Sequence, residues 1–209
     1  MLPGIPELSL GQVLVRLGAA LITVGVYGGV AALAARALGD RGPAHDGRLT
    51  VSPFSHLDLV GLFAAVFFRV TWPRPLAVDP KELKRPLPGA SVLVLVSTAS
   101  LIALAAVALV ARPLALRLLA GSAGLALANL LSVTYEVAIA TALFNLVPIP
   151  PLLGEVVVRA ARPGRLADAW GRSSTRIAGT VAAAVLLASG AATPVFRTLW
   201  RVGRELLGF

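Results

Sequence analysis

The sequence predicts an all-α polytopic membrane protein, and three observations carry that prediction. Of 209 residues, 57% are hydrophobic and 14% charged, with a mean hydropathy of +0.84. The apolar residues stand in long unbroken runs, not in the short alternating stretches of a soluble core. The basic residues gather in short segments between those runs, where they set topology and meet lipid headgroups. One membrane domain over residues 1–209 is expected, with no room for a sizeable soluble module. The net charge of +9 is nearly all arginine, since Lys81 and Lys84 are the only lysines. Its placement beside apolar runs makes membrane lipids the expected partner and excludes nucleic acid. With no cysteine, disulfides, thiolate metal sites and thiol nucleophiles are excluded.

Residues 10–38 are apolar except for Gln12, Arg16, Thr23 and Arg36, and exceed the roughly 20 residues that a spanning helix needs. The run starts near Leu8 with no basic residue before Arg16, so it reads as a retained anchor and not a signal peptide. It ends at Gly39-Asp40, and 41–50, with Gly42, Pro43 and Gly47, reads as a loop. Residues 57–68 are apolar but too short to span, which predicts a half-inserted segment covered by protein. Five prolines between Thr71 and Gly89 predict an extended surface loop. Residues 90–110 read as the second span. After Arg112-Pro113 the apolar stretch 114–147 is too long for one upright helix, so a break near 132–136, or a tilted helix with a separate first part, is expected. Glu136 is the only acid in that stretch and stands near the expected break, where a proton or ion role is the sharper reading of an intramembrane carboxylate. Residues 159–176 form a basic loop, 177–192 the last span, and 196–207 an amphipathic tail with Trp200 as interfacial anchor. The expectation is about four spans, one half-inserted segment and one extended loop.

Several motifs run in a familiar order. Phe144-Asn145-Leu146-Val147-Pro148-Ile149-Pro150-Pro151-Leu152-Leu153-Gly154 resembles the N-x-x-P-x-P-P-L-D-G element of the site-2 protease family of intramembrane zinc metalloproteases, with Leu153 where the family has its zinc-binding Asp. The run from Gly47 to Gly61, containing His56 and Asp58, is similar to the family's G-R-L-T-x-N-P-x-x-H-x-D-x-x-G, and Trp72 to Pro80 to its W-x-x-P-V-x-V-N-P. The resemblance covers about residues 27–154. Counting back from Leu38-Gly39-Asp40, the counterpart of the family's L-G-D, puts the H-E-x-x-H motif on Tyr27-Gly28-Gly29-Val30-Ala31. The family's A-G-P on the next helix is matched by Val96-Ser97-Thr98.

In H-E-x-x-H two histidines one turn apart hold zinc and the glutamate takes the proton from zinc-bound water. Tyr27, Gly28, Ala31 and Leu153 supply none of these groups. The resemblance therefore implies a site-2-protease-like membrane core with no catalytic residues, metal or cofactor: a pseudoprotease. The expected function is an accessory or scaffold subunit, or a regulator, that binds transmembrane helices of other integral membrane proteins in a complex. Its expected groove is lined by Gly25, Gly29, Tyr27, Asn145, Pro148, Pro150 and Pro151, with Gly25 and Gly29 as a small-xxx-small face. The blander reading packs that face against the Asn145–Pro151 element. His56 and Asp58 are expected to bond backbone at the turn into 57–68.

Two alternatives stand. One is an active metalloprotease with a non-family metal site around His45 and His56, helped by Asp40, Asp46 and Asp58; the other is a membrane transport component, against which the scarcity of intramembrane ionisable residues argues.

The positive-inside rule puts loops 41–89 and 159–176 in the cytoplasm and both termini outside, in what the family resemblance makes a bacterial inner membrane. A cysteine introduced at Ala44 or Ala167 is expected to stay unlabelled by an impermeant reagent in intact cells and to react after permeabilisation. Labelling of either from outside rejects this topology.

Overall fold

Ser9 and Gln12 start the first helix with reciprocal hydrogen bonds: Gln12 N donates to Ser9 Oγ at 3.3 Å and Ser9 N to Gln12 Oε1 at 3.1 Å. The helix, α1 (Leu10–Leu38), stops at Gly39, whose φ of 121° no side chain would favour and whose N–H caps Ala35 and Arg36. Those bounds are the ones the hydropathy predicts. In this computed structural model, residues 8–170 and 172–207 are described, and among them all regular structure is helical. The remaining elements are α2 (Gly42–His45), α3 (Leu59–Phe68), α4 (Pro86–Leu118), α5 (Gly121–Phe144), α6 (Glu155–Ala161), α7 (Arg165–Trp170), α8 (Ser173–Ala188) and α9 (Thr193–Leu207). A 3-10 turn, Pro53–Ser55, precedes α3.

Helices α1, α4 and α5 are long and apolar enough to cross a membrane; α8 and the first part of α9 form a pair bent by 66°, which makes a fourth crossing if it is one broken span. The three long helices pack on one another through small residues. Ala19, Ala20, Ala31, Ala32 and Ala35 of α1, Ala90 and Ala105 of α4, and Ala138, Ala140 and Ala142 of α5 are buried. Between helices in lipid, association depends on dispersion and close approach, which alanine permits. The opposite faces, with Leu95, Ile102 and Val107 on α4, stay exposed as a lipid-facing surface does.

Several boundaries differ from expectation. Helix α4 starts at Pro86, so Pro86 and Pro88 belong to its first turn and not to the loop, as proline's missing N–H permits there. Pro113 lies inside α4 and does not end it. The break after the second span falls at Leu119-Ala120, before Gly121 with its φ of 63°, and α5 runs unbroken through 132–136. Arg112 Nε donates to Ser132 Oγ across this hairpin at 2.9 Å. The basic stretch 159–176 is not one loop: it holds the end of α6, all of α7 and the start of α8. Of the tail arginines, Arg204 has its side chain outside the described residues, as are both chain ends.

Loops from the C-terminal end of α1 and the N-terminal end of α4 meet at one end of the bundle. There Lys84 N donates to Leu38 O at 2.9 Å, Asp79 N to Asp40 Oδ2 at 3.1 Å, and Arg159 Nη1 to Val78 O at 3.2 Å. From that end residues 48–58 descend along α1, and α3 continues antiparallel beside its first half. Asp58 caps α3, accepting from Gly61 N at 2.8 Å, and Arg69 ends it with a left-handed φ of 57°. Its ten residues cover about 15 Å, too short to span alone, but with residues 48–58 the segment runs from the loop end of α1 to Arg16 near its start, deeper than the half-insertion expected.

Candidate functional site

The predicted site positions meet. Tyr27, Gly28 and Ala31 of α1, Leu153 of the α5–α6 connection, and Asn145 and Pro151 line a single small cavity of about 20 Å³, together with Arg48, Leu76 and the Pro73–Pro75 stretch. Residues 126 apart in the chain come together because α5 delivers Asn145 beside the middle of α1. A space of that size holds about one water molecule. It is a small pocket, bordered by exposed Arg74, and not a groove long enough for a helix.

What fills the rest is the chain itself. The His56 ring lies against the α carbon of Gly28, so that a Cβ there would overlap the imidazole. His56 is fully buried, with Nε2 2.7 Å from Thr50 O and Nδ1 3.5 Å from Arg48 Nη2. A carbonyl can only accept, so Nε2 carries the proton and Nδ1 is left to accept from the guanidinium. Arg48 is itself buried and ties loop strands together, donating to Arg74 O at 2.7 Å and Pro75 O at 3.3 Å. Arg74 N completes the link by donating to His56 O at 2.7 Å.

The glycine face is covered in the same way. A Cβ on Gly25 would stand 2.6 Å from Val51 O, and one on Gly29 2.8 Å from Thr50 O. These glycines therefore pack against the chain's own residues 50–53, neither against the Asn145–Pro151 element nor open to a partner helix. The broken segment after α5 is equally occupied. Asn145 Nδ2 donates to Thr141 O at 3.0 Å and Thr71 O at 3.3 Å, while Asn145 O accepts from Gly154 N at 3.0 Å. Pro150 is joined to Pro151 by a cis peptide bond and its carbonyl packs onto Gly179 of α8; Pro148 is exposed. Tyr27 Oη and Asn145 Oδ1 are buried without a protein partner beside the small cavity. Ser97 of the Val96-Ser97-Thr98 stretch turns its hydroxyl back onto Leu93 O at 2.7 Å.

The residues of the relocated-metal alternative do not converge. His45 is exposed, His56 is committed to Thr50, Asp58 caps α3, and Asp40 accepts from Gly42 N at 2.7 Å and from Asp79 N. Among the described residues no three His, Asp or Glu side chains are grouped as a metal ion would require.

A second cluster was not legible in the sequence. Arg69 Nη1 and Glu136 Oε2 are 2.6 Å apart, Trp200 Nε1 donates to Glu136 O at 3.0 Å, and the Arg69 guanidinium lies 5.5 Å from the Trp200 ring centre. Buried Arg16 donates to Val66 O close by. Glu136 is thus an ion-paired residue within a continuous helix, and Trp200 packs on protein where a lipid anchor was expected. Only the isolation of Glu136 in an apolar run hinted that a partner must exist.

Comparison of the chain with protein-family models, curated proteins and solved structures finds no match in any of the three.

Gly28→Ala is expected to destabilise the protein by about 2 kcal/mol through overpacking against His56. Combined with His56→Ala, the added methyl no longer meets a ring, so thermal unfolding of the two single variants and the double variant should show strong non-additivity. Additive effects would mean that the ring does not occupy the space beside Gly28.

Proposed function

We propose that this chain is a site-2-protease-like membrane protein without proteolytic activity, acting as an accessory or scaffold subunit for other integral membrane proteins. One observation carries the reading: the four positions assigned to the zinc ligands and general base, drawn from two distant parts of the sequence, line one cavity. That they hold no imidazole or carboxylate, and that His56 occupies the room beside Gly28, supports loss of the catalytic chemistry. Exchanging polar ligands for Gly28, Ala31 and Leu153 is physically consistent, since uncoordinated ligands are costly to bury.

The covered glycine face moves the partner surface. A groove between α1 and the Asn145–Pro151 element is closed by residues 48–58, so partner helices are bound on the exposed apolar faces, such as that of Leu95 and Ile102 on α4. In this proposal the loop 159–176 and both ends of the segment 41–89 face the cytoplasm of a bacterial inner membrane, while Arg69, at the end of α3, lies beside Arg16 at the opposite end of the bundle. The active-metalloprotease alternative gains no support from His45, His56, Asp40 or Asp58, which stand apart or cap backbone.

The gently solubilised protein is expected to contain no stoichiometric zinc, to cleave no transmembrane peptide with zinc added, and to migrate with another integral membrane protein at fixed stoichiometry. Zinc that is lost on replacing His45 or His56 would restore the enzyme reading. Zinc-free protein that is always solubilised alone would reject the accessory role.

A further inference from the structure

A second and much larger cavity, about 570 Å³, opens where α8 bends into α9, at the end of the bundle opposite the loops. Arg16 of α1, Arg69 at the end of α3 and Arg197 of α9 line it, with Phe67, Phe196 and Trp200 as apolar walls. None of the described residues lining it is acidic, and the neighbouring carboxylate of Glu136 is held by Arg69. Three guanidinium groups against one carboxylate leave two positive charges in surplus. Beside apolar helices such a surplus is costly unless an anion is supplied.

The depth of the cavity says which anion. Helix α1 has 29 residues and a length of about 43 Å, so a hydrocarbon layer of about 30 Å centred on it begins some 6 Å from its start. Arg16, six residues in, stands about 9 Å from that start, near the boundary where lipid phosphates lie. The amphipathic helix α9, with Arg197 and Arg201 among apolar residues, is suited to the same level. A further cavity of about 520 Å³ shares Phe67 with the basic one and is lined by Leu17, Phe63 and other apolar side chains of α1 and α3. It runs from the first turn of α1 towards the membrane middle.

We propose that these two cavities form a binding site for one anionic phospholipid, with the phosphate among Arg16, Arg69 and Arg197 and an acyl chain along the α1–α3 groove. The guanidinium forks match phosphate oxygens, and a lipid whose headgroup adds no positive charge offsets the surplus. Lipid held there would brace the α8–α9 bend against α1 and α3.

The test uses the whole protein, delipidated in mild detergent, with phosphatidylglycerol, phosphatidylcholine or inorganic phosphate added while thermal unfolding and retained lipid by native mass spectrometry are followed. Phosphatidylglycerol should raise the unfolding temperature by several degrees and remain bound, whereas phosphatidylcholine and inorganic phosphate should do little. Arg197→Gln, on the exposed rim, should weaken phosphatidylglycerol binding about fivefold, as should Arg16→Gln where it folds; Arg165→Gln, at the other end of the bundle, should leave it unchanged. An equal response to phosphatidylcholine overturns the proposal. So does an equal response to inorganic phosphate, which would make the site one for free anions, or unaltered phosphatidylglycerol affinity in folded Arg197→Gln.

Discussion

The structure depends on one constraint: irregular backbone lies beside the middle of a membrane-spanning helix, and its polar groups must be satisfied there without water. Residues 48–58 reach this position because Gly25, Gly28 and Gly29 remove the side chains that would hold them off α1. Arg48, His56 and Asn145 then satisfy the carbonyls that the loop, the return strand and the broken helix expose. Each is almost wholly buried, and each links segments that are distant in sequence or separated by a turn. An alanine at position 28 would displace the imidazole, and displacement of the imidazole would take from Thr50 O its side-chain donor and from Arg48 one of its acceptors.

The same constraint explains the composition of the cavity walls. A hydrophilic ligand set facing a space of about one water volume would have to shed most of its hydration with little in exchange. Tyr27, Ala31 and Leu153 fill the space, with Tyr27 and Leu153 joining the core that also holds Leu93 and Leu101 of α4. The polar groups at hand close the backbone: Arg48, His56 and Asn145 are taken up by carbonyls of the chain itself. Towards the other end of the bundle Arg69 and Glu136 are paired, and their pairing joins the end of α3 to α5.

Much of the fold was legible in the hydropathy. The bounds of α1 follow from an unbroken apolar run between a Ser-Gln cap and a glycine stop, and the shortness of α3 follows from the apolar run 57–68, although the depth it reaches does not. Other features depend on what the helices meet. Pro86, Pro88 and Pro113 read as breakers in isolation, yet a first-turn proline loses no hydrogen bond and Pro113 is carried within a long helix packed on α5. The turn at Leu119-Ala120 has too few polar residues to stand out. At the site, the motif order brought Tyr27, Gly28, Ala31 and Leu153 to one place before any coordinates. It could not say that His56 would fill the space beside Gly28, or that the Gly25–Gly29 face would be covered by Val51 and Thr50, because those contacts come from the path of a loop whose own sequence has no periodicity. The Arg69–Glu136 pair spans 67 residues and leaves no local pattern at all.

The central claim is that four degenerate positions still mark one vestigial metal site, and restoring the missing groups tests it most directly. The triple variant Tyr27→His, Ala31→His and Leu153→Asp would place two imidazoles one turn apart on α1 and a carboxylate on the opposite wall, the donor set and number that a catalytic zinc site uses. Elemental analysis of the folded triple variant should then give about one zinc per chain, with none in the unaltered protein or in variants carrying two of the three changes at full occupancy. A folded triple variant that binds no zinc would contradict the account.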